Sequence, residues 1–512
     1  MNILGISISH ESNATLFMND NIVASVAEER FTRLKMDMRY PKNAIEFCLN
    51  YGAINSSELD YVVLATEEDF PEQYIVNRIA TFSVEDFVRE QNEYWKPRIF
   101  ENNKVDYLKV FSDKIKNDDF YDLSKFIDTN MTSEEISKEF LDIRKDAVEK
   151  HLNIDNSKIK TVKHEKAHAY YGFYANPLRE KTLIITAEGF GEYSNSTVSV
   201  FEDGEIKEIN HTKENHIGHL YKFITLLLGM KPNQHEYKVM GLAPYANSKE
   251  VEKASRVFAD LFELDGLNIK LKERPDDFYF WFKRKLEGCR FDGIAGALQS
   301  AIENITLKWI KHCCKQLNLS NVVFSGGVAQ NIKVCQLVGE LDEVNKIFIA
   351  PMPGDGSLSA GACYFMLDKI YGQNNMDKSL IQPVQNVYLG PEYSKEEIDT
   401  AIRESHITKR FKIVDNIDNV YVCEQLIKEK VVARFSGRME FGQRALGNRS
   451  ILANPKNPRM IQKINSKIKF RDFWMPFTPT ILKEFEDQYI INPKKLESPY
   501  MTLAFNTTEL FQ

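Results

Sequence analysis

No CxxC pair occurs among the seven cysteines of this 512-residue chain, and its one adjacent pair, Cys313-Cys314, lies in apolar helical context. That pattern supports neither a disulfide framework nor a thiolate zinc site; a reduced cysteine in such surroundings acts as a small hydrophobe. Surplus positive charge is missing as well. The formal net charge of -7 excludes a protein whose main task is gripping a nucleic-acid backbone, while leaving room for local basic sites. No apolar run approaches the length of a bilayer span, and FITLLLGM is far too short. The start, MNILGISISH, lacks the basic region, apolar run and small-residue cleavage site of a secretory signal, so a cytoplasmic protein is expected. Core material is ample: the chain is 43% hydrophobic and 27% charged, and its length predicts two or more domains.

The opening, MNILGISISHESNATLFMNDNIVASVAEER, reads as an apolar strand, a polar turn at His10 to Asn13, and two strands joined at MNDN. KTLIITAEGFGEYSNSTVSVFEDGEIKEIN repeats the arrangement, with a turn at Glu188 to Gly191 and a hairpin through EDGE. Duplicated units of this kind are the pattern of an actin-like, sugar-kinase-like α/β fold. Residues 70–158 between them are rich in charge and aromatics with helical periodicity. They read as a helical insertion that walls a substrate pocket or makes dimer contacts, its charges forming a solvated face. Further on, NVVF runs into SGGVAQN and KIFIAP into MPGDGSLSAGACYF, two strand-to-glycine-to-helix turns that fit an α/β nucleotide site. A domain boundary is expected near residue 380, before an arginine-rich unit.

Three constellations carry chemistry. VKHEKAHAYY at 162–171 places His164 and His168 four apart at the start of a helix, which is metal-ligand spacing, although HExxH matches also arise by chance. Asp355, between glycines before a helix, is either an N-cap or a third metal ligand from the second half of the fold. Gly326 and Gly327 in FSGGVAQN let the backbone approach an anion or nucleotide at a helix N-terminus. Arg438, Arg444, Arg449 and Arg471, with Lys467 and Lys469, are interleaved with glycine and apolar residues, which does not suit a plain solvated face. They read as a site for ATP and a small anionic co-substrate.

The motifs GISISHESNATL, AEERFTRLK, VKHEKAHAYYGF, EYKVMGLAPY, SGGVAQN, GDGSLSAGA, GRMEFGQRALGNRSIL and KFRDFWMPFTPTIL, in this order, resemble the O-carbamoyltransferase family of nodulation protein U and of the enzymes acting on tobramycin, novobiocin and cephalosporins. The resemblance implies an N-terminal duplicated actin-like (ASKHA-type) domain over 1–380, with its insertion at about 70–158, and a YrdC-like α/β domain over 381–512. The second domain would make carbamoyladenylate from ATP and carbamoyl phosphate; the first would pass the carbamoyl group to an acceptor hydroxyl of a sugar or natural product. It implies a metal, iron by family, on His164, His168 and Asp355, with magnesium accompanying ATP. His10 is the candidate base and Lys238 the charge-neutralising group, each with an ordinary structural role as its equal alternative. Gly326, Gly327, Asn331, Arg438, Arg444, Arg449, Ser450, Lys469 and Arg471 would hold the nucleotide and co-substrate.

Glu11 and Glu188 stand where the family has aspartate, and Gln443 where it has proline. Family chains also continue past SPYMTLAFNTTELFQ, which raises the alternatives of a fragment, an impaired first step, or a split enzyme with a separate C-terminal partner. A homodimer, an inactive or regulatory homologue and an actin-like kinase are the other readings in play; a nucleic-acid or membrane partner is not expected.

Overall fold

The computed structural model describes residues 1–511 apart from 117, 119 and 128. Gln512, on which the expectation of a shortened C-terminus rests, lies outside the described residues.

The architecture is mixed α/β. Strands β1 (Asn2–Ser7), β2 (Asn13–Met18), β3 (Asn21–Ala27), β4 (Tyr61–Leu64) and β5 (Ile159–Thr161) form one sheet in the order β3-β2-β1-β4-β5. Strands β6 (Thr182–Ala187), β7 (Ser196–Glu202) and β8 (Glu205–Thr212) follow, then a small separate hairpin, β9 (Phe262–Asp265) with β10 (Asn268–Leu271). With β11 (Asn321–Ser325) and β12 (Lys346–Phe348), the middle three make a second sheet in the order β12-β11-β6-β7-β8. In each sheet the first strand begins an antiparallel meander on one side and has parallel neighbours on the other, so the two share order and sense.

The reasons are local. NILGIS and TLIITA are near-continuous apolar runs and become central strands buried on both faces. EIKEINHT alternates and becomes a polar edge. Both hairpins turn through residues that tolerate positive φ, Asn19 (48°) with Asp20 (64°) and Asp203 (54°) with Gly204 (76°), the conformation that matches the strand twist.

Four helices matter below: α1 (Ser133–Leu152), α2 (His164–Tyr174), α3 (Phe291–Leu317) and α4 (Leu358–Gln373). Helices α2 and α4 pack on each other, α4 also on β1 and α2 on β6 and β11, so both are buried almost all round. Two glycines permit this. A Cβ on Gly361 of α4 would lie 2.1 Å from the Ala167 carbonyl oxygen of α2, and one on Gly5 of β1 would lie 1.9 Å from the Ser359 carbonyl oxygen.

Residues 70–158 are largely helical, and α1 starts at a Thr132/Glu135 capping box and ends at Asn153 with φ 49°. Its apolar face joins Leu4, Ile6 and Leu16 of the first sheet in one core. The expectation of a merely solvated charged face needs correction. Arg78 is buried against Glu90 (2.5 Å), and Arg144, 1% exposed, stacks on Phe140 and Tyr74 while bonding Asp69 at 3.0 Å. Buried aromatic faces and paired carboxylates supply what water would otherwise give these guanidiniums.

Beyond residue 380, Ile381, Val384, Leu389 and Phe441 enter the core around α2 and α4, and Leu503 enters the core of the second sheet. The remainder carries two short two-stranded sheets and small helices. No helix among the described residues is long and apolar enough to cross a membrane.

Candidate active site

His164 and His168 occupy the first two turns of α2, one above the other, with their Nε2 atoms 3.2 Å apart. Glu188, the residue after β6, places Oε2 2.6 Å from His164 Nε2 and 3.2 Å from His168 Nε2. Asp355, in the turn that opens α4, places Oδ1 3.6 Å and 3.5 Å from the same nitrogens. The four donor atoms lie within 4.8 Å of one another. The close α2–α4 packing at Gly361 therefore brings the two halves of the constellation together.

Burial opposes charge on both imidazoles, yet the Glu188 carboxylate, joined by Asp355, holds protonated His164 well above the usual histidine range and raises His168 too. Burial likewise opposes ionised Asp355, but the His164 charge and the bond to His10 hold it well below the usual carboxylate range. Glu188 is lowered despite its burial by the same two histidines. Charge is thus concentrated in a nearly dry place, and two polar atoms stay orphaned there, Glu188 Oε1 and His168 Nδ1. Two nitrogens and two carboxylates converging with spare acceptors fit a divalent cation such as zinc or iron.

Around this cluster, His10 Nδ1 lies 3.3 Å from Asp355 Oδ2, and Asn13 Nδ2 donates to the Asp355 carbonyl at 3.1 Å. Glu11 is buried; burial, then Glu29, push its carboxyl up to about 8, and it accepts from Gln443 Nε2 at 3.4 Å. Glu192 is also pushed up to about 8 by burial, and its oxygens accept the Glu67 amide at 2.9 and 3.1 Å.

A cavity of about 1390 Å³ begins at His164, Glu188 and Asp355 and reaches Arg444, Lys469 and Arg471. Its walls include His10, Lys238, Gly327 and Asn331 and, from the insertion, Tyr94, Trp95 and Arg98. Lys238 Nζ lies 3.1 Å from Asp472 Oδ2, tying α-helical residues 236–242 to the C-terminal segment. Asn331 donates to Tyr221 Oη (3.2 Å) and Gln299 Oε1 (3.0 Å), which fixes its amide at the cavity floor. Gly326, with φ 88°, packs behind the site against the Ala187 carbonyl, whereas Gly327 faces open space.

The expected basic group divides. Arg444, Lys469 and Arg471 line the cavity. Arg438 instead donates to the carbonyls of Val23, Leu389 and Gly390 over the Tyr51 ring, and Arg449 to those of Ser436, Gly437, Asn448 and Pro391 over Phe435. Ser450 Oγ accepts the Gly447 amide. Sequence reasoning missed Glu188 as a donor in the cluster, because a lone glutamate after β6 has no spacing that marks it as a ligand.

Comparison with known proteins identifies the family. Residues 2–364 match the family model "Carbamoyltransferase N-terminus" and residues 423–512 match "Carbamoyltransferase C-terminus". An uncharacterised protein of Synechocystis sp. is 30% identical over 99% of this chain and 79% of its own length. Nodulation protein NolNO of Sinorhizobium fredii is 26% identical over 98% of this chain and 66% of its own. Among solved structures, component A of the (R)-2-hydroxyglutaryl-CoA dehydratase of Acidaminococcus fermentans aligns at 14% identity and a TM-score of 0.34, covering 71% of this chain and 97% of its own. With both family models matched in order and most of its length covered, the chain belongs to the carbamoyltransferase family and is a transferase enzyme.

Proposed function

We propose that the protein is an ATP-dependent O-carbamoyltransferase that works through carbamoyladenylate. Water cleaves carbamoyl phosphate to carbamate and inorganic phosphate; a carbamate oxygen then attacks the α-phosphorus of ATP, and pyrophosphate leaves. The acceptor hydroxyl then attacks the carbamoyl carbon, the bond to AMP breaks, and the hydroxyl proton passes to a base. The observation that carries the proposal is the single cavity joining the His/Glu/Asp cluster to Arg444, Lys469 and Arg471 in a chain of this family. An unstable mixed anhydride formed beside the basic side chains would have only the length of this cavity to cross before it met the cluster.

The fold reading that accompanies this is a duplicated actin-like domain followed by a YrdC-like domain beginning near residue 380. The equal strand order of the two sheets supports the first part. His164, His168, Asp355 and, beyond the sequence expectation, Glu188 would hold the metal, for which iron is the ion the family resemblance implies. When bound, such an ion polarises phosphoryl and carbonyl oxygens. His10 is suited to take the acceptor proton, because Asp355 orients its ring at the cavity edge. Gly327 and Asn331 approach the nucleotide, and magnesium accompanies ATP. The insertion residues Tyr94, Trp95 and Arg98 face the same space and would contact a hydroxyl-bearing acceptor.

The test is incubation of the chain with ATP and labelled carbamoyl phosphate, without acceptor, followed by mass spectrometry. Carbamoyladenylate and pyrophosphate are expected. A folded chain that forms neither carbamoyladenylate nor pyrophosphate, or turns ATP over only to ADP, would refute the proposal.

A further inference from the structure

The insertion walls the cavity with a turn of unusual winding. Glu90–Trp95 is a π-helix, a form that is rare in proteins and concentrated at functional sites. Glu90, Gln91, Tyr94 and Trp95 of this turn all line the cavity. Trp95 is 37% exposed, and its ring stands edge-on to that of Tyr94 with the centroids 4.8 Å apart. The polar groups beside them are buried and ordered: Arg78 donates to Glu90 at 2.8 and 2.5 Å, and Tyr107 Oη donates to the same carboxylate at 2.9 Å.

Two kinds of polar group next to this turn lack partners. Gln91 is 3% exposed, yet its amide oxygen has no hydrogen-bond partner among the described residues, and neither has that of Asn233, which lines the same cavity. Lys222 lines it too; its ammonium makes no hydrogen bond or ion pair among the described residues and has only the Phe223 ring, 6.0 Å away. Burial, then Arg78, push Lys222 down to about 8 against the pull of Glu90 and Glu236. Both of those carboxylates are committed, Glu90 to Arg78 and Tyr107 and Glu236 to the Asn233 backbone amide.

Ionic charge is matched in this part of the wall, where Arg78, Arg98 and Lys222 stand against Glu72, Glu90 and Glu236. A carboxylate brought here would satisfy Lys222 but leave both amide oxygens unmet, and an ammonium would serve the amides while standing close to Arg78 and Lys222. A hydroxyl donates to the one and accepts from the other. A ring bearing several hydroxyls, with an apolar C–H face to lay on an exposed indole, meets the whole set.

We infer that Gln91, Trp95 and Lys222 form an acceptor subsite that selects an uncharged sugar ring over amino sugars and sugar acids. The inference rests on the proposed function and deepens it, naming the chemical class of the acceptor and the side chains that choose it.

The test is retention of the full chain on an array of neutral, amino and uronic glycans, without ATP or carbamoyl phosphate. Neutral glycans should hold it, and amino or uronic glycans of the same ring about tenfold less well. Trp95→Ala and Gln91→Leu should each weaken neutral-glycan binding by about tenfold. Gln91→Glu, of the same size with a negative charge added, should turn the preference toward amino glycans, and Lys428→Met, at an exposed lysine outside the cavity, should change nothing. No retention of the folded chain on neutral glycans, a preference of the wild type for amino or uronic glycans, or unchanged binding by folded Trp95→Ala and Gln91→Leu overturns the inference. The proposed function is judged separately: a chain that forms carbamoyladenylate without acceptor but ignores neutral glycans keeps the reaction and loses the subsite. One that binds them in this pattern and forms no adenylate does the reverse.

Discussion

Glu188 shows how much one methylene can decide. An aspartate directly after β6 would end short of the two imidazoles, whereas the glutamate reaches 2.6 Å from His164 Nε2. Replacing Glu188 with Gln should lower divalent metal affinity by about tenfold or more, and Glu188→Asp should fall between, as read by metal stoichiometry after dialysis against a graded chelator. Equal metal retention in all three would exclude Glu188 from the ligand set. Glu11 gives a second prediction. Its folded carboxyl is raised from 4.5 to about 8, so the fold holds a proton that the unfolded chain has released. The stability associated with that proton is complete below pH 4.5 and is lost as pH rises through about 8. Urea unfolding at intervals between those pH values should show a falling stability that Glu11→Gln flattens; parallel curves would contradict it. At this scale the sequence was partly legible. His164 and His168 announce themselves by helical spacing and Asp355 by its glycines, but a lone glutamate after a strand carries no such mark. Nor does spacing distinguish Arg444, which faces the cavity, from Arg438, which ties down three carbonyls.

Strands and hairpins were legible where the pattern is local. The runs NILGIS and TLIITA, and the turns at MNDN and EDGE, become the central strands and hairpins that they suggest. The insertion was legible as helix but not in its packing, because Arg78 and Glu90 find each other through the fold and not through a helical repeat. Helix-level predictions separate support from site. Gly361→Ala forces a Cβ against the Ala167 carbonyl and should cost about 1–3 kcal/mol, weakening metal binding as well because α2 and the turn that opens α4 carry three of the four candidate ligands. Thr132→Ala breaks the capping box of α1 and should cost about 1 kcal/mol while leaving metal affinity unchanged. Denaturant midpoints with chelator competition on the same samples check both. A Gly361→Ala protein of unchanged stability would show that the helices can part without loss.

The whole molecule brings two chemistries to the wall of one cavity. One end is acidic and histidine-rich, built from the ends of β1 and β6 and the starts of α2 and α4; the other is basic and built largely from residues beyond 440. This pairing is not visible along the sequence, since Glu11 and Gln443 meet only in the folded chain. The account stands on activation of the carbamoyl group as an adenylate within that space, before any acceptor arrives. The most direct measurement is exchange of labelled pyrophosphate into ATP, with and without carbamoyl phosphate and in the absence of acceptor. Exchange that requires carbamoyl phosphate and falls in Arg444→Met is the predicted result. No exchange by the folded protein, with carbamoyl phosphate present and ATP converted only to ADP, would contradict the account.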